Sequence, residues 1–331
     1  MSRFFMNERE TLVRQAVEGL VETHGDLVDA HTDPLFVTRR EPAAGKVALI
    51  SGGGSGHEPL HTGFVGYGML DAAVPGEVFA SPTALQVRAA IRAADSGEGT
   101  VMIVKNYTGD VLNFSIAAEL LAETHRVERV LVDDDLATQS EDDGGPGRRG
   151  TAAVVAVEKI CGAAAEAGAP ITEVRDLGRE VVSRSATLGI AFEACTHPMS
   201  GLRSFDLEPG EMEFGVGIHG ERGIETRPVT EAASMVEALV TPLMERLGVR
   251  QGDVVSMIVN GLGATHGLEL AVAAREARRV LGGRGVRVAR SLVGPYVTSL
   301  DMKGLSITLT AMTDGLVELW DAPVRTPALV W

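Results

Sequence analysis

Cysteine is scarce: Cys161 and Cys195 are the only two among 331 residues. Two such thiols make neither a disulfide framework nor a thiolate metal site, and they read as buried and reduced. No HExxH and no Cys/His spacing is present, so no zinc site is expected. Positive charge is also short, with 30 Lys and Arg against 45 Asp and Glu, a net charge of −15. That balance argues against non-specific nucleic-acid binding, which needs a basic surface. No apolar run reaches the ~18 residues of a membrane helix. The opening MSRFFMNERETL lacks the apolar core of a signal peptide. A cytoplasmic protein without membrane segments is expected. Aromatics amount to only 4%, yet hydrophobic residues reach 45%, and that aliphatic content argues against disorder.

Glycine is plentiful. The chain has 39, about 12% against an average near ~7%. At ~150 residues per domain the length predicts two domains. The first helix is expected from Glu8 to Thr23, with Asn7 and Glu10 as a capping box and an apolar face at helical spacing. Short apolar runs at 47–50, 101–104 and 130–132 read as buried strands. The first stops at Ser51-Gly52-Gly53-Gly54-Ser55-Gly56-His57, the second at Lys105-Asn106-Tyr107-Thr108-Gly109-Asp110, the third at Asp133-Asp134-Asp135. A helix over 83–94 is expected between the first two, capped by Ser81, and another over 111–125. The acidic triplet reads as a strand-end loop rather than a metal site. Residues 140–150 read as a surface loop, followed by helices at 151–167 and 171–182.

Strands at 188–192, 214–218, 254–259, 286–292 and 305–310, with helices at 230–247 and 268–281, continue the alternation. The pattern predicts an α/β protein of two domains, each a mixed or parallel sheet flanked by helices. The boundary is placed at residue 186, giving domains 1–186 and 187–331. In such sheets the chemistry gathers where strands end.

Three strand ends carry candidate chemistry. Four glycines in six residues at 51–56 allow close backbone approach, and their amides can form an oxygen-binding nest. No Lys-Ser/Thr pair follows, so this is not a phosphate loop. His57 at its rim can pass a proton near neutral pH. The competing reading is a glycine turn without a ligand. Lys105 ends a buried strand, where the alternative is a snorkelling surface lysine. Asp110 stands at a helix start, where the alternative is an N-cap. His219, between glycines in Gly217-Ile218-His219-Gly220, offers an accessible imidazole that can add to a ketone. The alternative is a structural histidine. His24, His31, His61, His125, His197 and His266 lack comparable loop settings.

Taken together, SGGGSGHEP, PGEVFASPT, KNYTGDVLNF, EFGVGIHGE and TSLDMKGLSITL, in this order, resemble the dihydroxyacetone kinase family, and within it the dihydroxyacetone-binding K subunits. The resemblance covers nearly the whole chain. It implies a homodimer of two-domain α/β subunits. It implies that His219 binds the ketose covalently as a hemiaminal. Gly54, Ser55, Gly56 and His57 would line the pocket, and Lys105 and Asp110 would hydrogen-bond the substrate hydroxyls. Asp110 is then the expected general base, with His57 a second acid/base group. The chain itself would hold no cofactor. ATP or ADP with magnesium would sit on an L subunit, expected as a separate polypeptide and recharged either by exchange or through a phosphotransferase-system phosphocarrier subunit.

Two segments depart from the family pattern, Thr265-His266-Gly267-Leu268 and Gly294-Pro295-Tyr296, and raise a longer ketose such as erythrulose as an alternative substrate. A ketose-sensing coactivator of a transcriptional regulator is the non-enzymatic alternative. A dinucleotide-dependent oxidoreductase would rest only on the glycine loop and the α/β pattern.

Overall fold

The computed structural model describes residues 4–42, 44–138 and 147–331. The loop expected over 140–150 lies outside the described residues up to 146. Two compact units are present. One comprises Met1–Val132, Val154–Val181 and Glu318–Trp331, the other Asp133–Ala153 and Val182–Val317. The units exchange segments, whereas the sequence reading placed one cut at residue 186. Among the described residues no helix is long and apolar enough to cross a membrane.

The first unit opens with α1 (Leu12–His24), shorter than expected because a 3-10 turn, Arg9–Thr11, precedes it. Asn7 does not cap it; its amide donates to Gln15 at 2.9 Å. The hairpin β1 (Val28–Thr32) and β2 (Leu35–Arg39) follows, then β3 (Ala48–Ser55), β4 (Ala72–Val78), α2 (Ala84–Ala94), β5 (Thr100–Lys105), α3 (Thr108–Glu119) and β6 (Val127–Val132). The helices α4 (Ala153–Glu166) and α5 (Ile171–Ser183) come next. The sheet order is β1-β2-β4-β3-β5-β6. Its four inner and trailing strands, β4-β3-β5-β6, are parallel, and the β1–β2 hairpin joins antiparallel. One face packs Ile50, Val74, Met102 and Val104 against Val87, Ile91 and Phe114 of α2 and α3. Alternation sends Leu49, Val101 and Ile103 to the opposite face, and all three are fully buried.

The glycine run is the main departure from expectation. Rather than looping out after residue 50, Ser51–Ser55 continue β3, with Gly52, Gly53 and Gly54 opposite Val74, Pro75 and Gly76. Pairing to β4 holds a segment whose intrinsic propensity for extended structure is poor. The cap of α2 also differs. Thr83, not Ser81, accepts from Gln86 N and forms the capping box.

The second unit is built on β7 (Ser185–Glu193), β8 (Glu211–Phe214), β9 (Glu225–Pro228), α6 (Ala232–Leu247), β10 (Val254–Gly261), α7 (Gly267–Gly283), β11 (Arg287–Gly294) and β12 (Lys303–Ala311). The order is β11-β10-β12-β7-β8-β9. Only β10–β11 is parallel; the other neighbours are antiparallel. Leu188, Ile190, Val255, Met257, Val259 and Ile307 pack beneath Leu239, Leu243, Ala273 and Ala277 of α6 and α7. The short α8 (Asp314–Trp320) leads into the C-terminal segment.

Candidate functional site

The first unit gathers Gly54, Ser55, Gly56, His57, Lys105 and Asp110 around the C-terminal ends of β3 and β5, where a parallel sheet collects chemistry. Lys105 is the last residue of β5 and only 1% exposed, so it is no snorkelling surface lysine. Its ammonium lies across β3. A Cβ on Gly53 would stand 2.6 Å from Lys105 Nζ and 3.5 Å from Asp110 Oδ2. A Cβ on Gly54 would stand 2.7 Å from Ala80 N and 2.8 Å from Phe79 C. At Gly54 the backbone of the turn after β4 leaves no room for a side chain, whereas at Gly53 a Cβ would displace the tip of Lys105.

Asp110 lies inside the first turn of α3, not at its cap, which is Tyr107. It is buried, and Ser81 Oγ donates to its Oδ1 in a short hydrogen bond. Burial raises the Asp110 carboxyl above its ordinary range, and Lys105 and Ser81 offset this in part. Burial lowers the Lys105 ammonium, with Asp110 and Glu158 acting in the opposite sense. Asp110 therefore binds a proton more readily than in water, and Lys105 gives one up more readily.

His57 is fully buried, its ring stacked on Phe79 with centroids 5.2 Å apart. Phe79 has φ +55°, a left-handed conformation costing a non-glycine residue on the order of 1–2 kcal/mol. Its N–H donates to Ser55 O at 2.9 Å, which fixes the turn against β3. Ser55 Oγ donates to Gly76 O at 2.7 Å. Gly56, at φ +104°, turns the chain out of the strand, and its N–H donates to Glu58 Oε2 at 3.0 Å.

Sequence reasoning missed His61, Glu158 and Ser81. His61 Nε2 lies 2.7 Å from Lys105 Nζ, and His61 Nδ1 lies 2.6 Å from Glu158 Oε1. The PLH tripeptide that follows the glycines held the signal, because a second histidine four residues past His57 enters the same strand end.

His219 belongs to the second unit. The strand expected over 214–218 stops at Phe214, because Gly215 turns left-handed at φ +79°. His219 therefore sits in the β8–β9 connection. The base of that connection is held by buried Glu213, which accepts from Gly223 N at 2.9 Å, Thr226 Oγ1 at 2.8 Å and Arg222 at 3.1 Å. Its crest is held by Glu221, whose Oε2 accepts from His219 N at 2.8 Å. Arg149 donates to Glu221 Oε1 in a short contact, and through Nε to Asp135 Oδ2 at 2.8 Å. Burial raises the Asp135 carboxyl to about 6, against the pull of Arg149. Gly217 makes room for the arginine–glutamate pair, since its Cβ would lie 2.0 Å from Glu221 Oε1. The imidazole is half-buried, on a loop fixed by charge-assisted hydrogen bonds.

The acidic triplet has structural work. Asp134 is buried and accepts from Thr151 N at 2.6 Å, Thr151 Oγ1 at 2.7 Å, Ala153 N at 3.0 Å and Thr187 Oγ1. Among the described residues no cluster of His, Cys, Asp and Glu could hold a metal ion. The departing segments are structural in this unit too. Thr265 Oγ1 bridges both polar groups of Gly304, and Asn260 Oδ1 accepts from Tyr296 N and Val297 N.

A family model described as the Dak1 domain matches residues 18–328. The PTS-dependent dihydroxyacetone kinase 1, dihydroxyacetone-binding subunit DhaK, of Listeria innocua is 45% identical over 325 residues, covering 98% of each chain. Among solved structures, the dihydroxyacetone kinase of C. freundii superposes with a TM-score of 0.91 at 35% identity, over 99% of this chain and 60% of that longer one. A dihydroxyacetone kinase operon co-activator, Dha-DhaQ, superposes with a TM-score of 0.89 at 31% identity, over 95% of this chain and 97% of its own.

Proposed function

The chain belongs to the Dak1 domain family, and from that premise we propose that it is the substrate-binding subunit of a dihydroxyacetone kinase, a phosphotransferase with an alcohol acceptor. The observation that carries this reading is the pairing of buried, oppositely charged Lys105 and Asp110 beside a glycine strand, in a chain matching a dihydroxyacetone-binding subunit over 98% of both lengths.

In the proposed reaction a nitrogen of neutral His219 adds to the C2 carbonyl of dihydroxyacetone. The carbonyl oxygen gains a proton as the imidazole loses its N–H, giving a hemiaminal. The bond supplies affinity that a ligand of so few atoms cannot gain from contacts alone. It also selects a ketone over glycerol. With C2 tethered, a terminal hydroxyl is held for in-line attack. Lys105 and Asp110 bind the hydroxyls, together with the strand end at Gly54, Ser55 and Gly56. Asp110 takes the hydroxyl proton as general base, aided by its raised affinity for protons. His57 is the second acid/base group. The phosphoryl group comes from ATP bound with magnesium on a separate L subunit, and the ADP left there is recharged through a phosphotransferase-system phosphocarrier, as the Listeria relative's PTS-dependent name supports. The subunit acts as a cytoplasmic homodimer, and dihydroxyacetone is preferred over erythrulose.

The co-activator's likeness supports a second reading, a ketose sensor. One experiment separates the two. The chain is mixed with dihydroxyacetone, an L subunit and ATP or a phosphoenolpyruvate-driven relay, and the intact mass is recorded after trapping. Phosphorylation together with an adduct lost in His219→Ala supports the kinase. An adduct without transfer to any L partner supports the sensor, and an adduct that survives His219→Ala refutes the covalent assignment.

A further inference from the structure

The first unit holds a titratable pair that the reaction above leaves unused. Glu158 of α4 is fully buried and His61, after β3, is 5% exposed. They form one line of short hydrogen bonds with Lys105: Glu158 Oε1 to His61 Nδ1 at 2.6 Å, and His61 Nε2 to Lys105 Nζ at 2.7 Å. Among the described residues Glu158 Oε2 has no hydrogen-bond partner. An ammonium only donates, and a neutral imidazole donates once and accepts once. The line can therefore be satisfied in two ways. Either the Lys105 ammonium donates to Nε2 and Nδ1–H donates to the Glu158 carboxylate, or the Glu158 carboxylic acid donates to Nδ1 and Nε2–H donates to the Lys105 amine. Both arrangements hold the same number of protons. One becomes the other when a proton passes from Nζ to Nε2 as another passes from Nδ1 to Oε1.

We infer that Glu158, His61 and Lys105 form a closed proton relay, in which His61 and Glu158 are positioning residues that let Lys105 alternate between ammonium and amine. The surroundings favour such a balance. Burial lowers Lys105, raises Glu158 to about 8 and holds His61 well below its ordinary value, so that the imidazole stays neutral. Asp110 faces Lys105 and favours the ammonium. His57 faces His61, and Cys161 stands beside Glu158. Ser51 beside Glu158 favours the carboxylate, while burial of the carboxyl, the larger effect, favours the acid form. The consequence for catalysis rests on the reading in Proposed function. The ammonium donates to a ketose hydroxyl and the amine accepts from one, so Lys105 follows the proton on the ketose without exchanging any with water.

The test is nitrogen-15 NMR of the full chain labelled at histidine, without ketose. Between about pH 6 and 7, where an ordinary imidazole titrates and which lies below the value of about 8 at which Glu158 loses its proton, His61 should remain neutral, with both nitrogens at shifts intermediate between N–H and bare nitrogen. Glu158→Gln keeps a hydrogen bond but cannot take the proton, and should give one N–H and one bare nitrogen. A His61 that charges in this range, or a tautomer balance untouched by Glu158→Gln, overturns the relay. These readouts need neither substrate nor L subunit, so they stand apart from any failure of the kinase reading. In the kinase assay Glu158→Gln should lower kcat about tenfold or more with KM changed less than about twofold, and Glu158→Asp should restore part of it. Proportionate losses in both constants with a wild-type spectrum would make the line merely structural. If Glu158→Gln does not fold, His61→Gln, which accepts from Lys105 but has no second nitrogen, must give the same split between kcat and KM. Its failure to do so overturns the relay equally.

Discussion

Replacing Gly53 with Ala separates the chemistry of the strand from its stability. The new Cβ would lie 2.6 Å from Lys105 Nζ, while comfortable contact begins at roughly 3.5 Å, so the nitrogen must retreat by about 0.9 Å. A shift of that size carries its 2.7 Å contact with His61 past the ~3.2 Å limit of a good hydrogen bond. Hydrogen bonds to charged groups contribute ~1.5–3 kcal/mol. At ~1.4 kcal/mol per factor of ten this predicts a loss of roughly 10- to 150-fold in kcat/KM for dihydroxyacetone, measured with an L subunit supplied. Stability should suffer less. The atom that yields is the tip of a side chain rather than backbone, so the loss in urea unfolding should stay below ~2 kcal/mol. Gly19→Ala is the matched control. It lies on α1, where an added Cβ meets nothing within 4 Å, and it should gain ~0.5–1 kcal/mol with activity unchanged. Wild-type activity in Gly53→Ala within twofold, or a loss tracking a collapse in stability, would refute the account of Lys105.

Asp110→Asn should cut phosphoryl transfer far more than adduct formation, read by comparing turnover with the trapped intact mass; equal losses would leave Asp110 a binding residue only. Asp134→Ala strands the four donors now met by one buried carboxylate and should cost ~3–5 kcal/mol in denaturant unfolding, so a loss under ~1 kcal/mol would contradict that role. The Glu158 carboxyl, raised from 4.5 to about 8, keeps in the native state a proton that the unfolded chain has released. Its contribution to stability is thus full below pH 4.5 and lost as pH rises through about 8. Glu158→Gln should remove that decline from a plot of Tm against pH, and a plot parallel to the wild type would refute the assignment.

Periodicity placed α2, β5, β6 and α5 close to where they lie, because amphipathic helices and short aliphatic strands carry their own signature. It failed in the glycine half of β3, where propensity opposes strand and only cross-strand neighbours such as Val74 and Pro75 impose it. It failed again at β8, which one left-handed glycine ends four residues early. Strand direction in the second sheet was also hidden, since a run of alternating elements does not state how neighbours pair. Within the site, Lys105, Asp110 and His57 were legible because each sits at a strand or helix end. His61 was passed over because its partners lie 44 and 97 residues away, and Arg149 because it stands in a stretch read as surface loop.

The extended glycine segment of β3 has a consequence for binding entropy. Glycine-rich recognition is commonly a matter of a mobile loop that orders around its ligand, and each residue so ordered costs ~1–2 kcal/mol. A three-carbon ketose offers too few atoms to offset several such residues. Here Gly52, Gly53 and Gly54 are already paired to β4 before any ligand arrives, so the ordering cost of this strand is met during folding. The same rigidity limits what can be accommodated. Moving the segment to fit a larger sugar would break its pairing with β4.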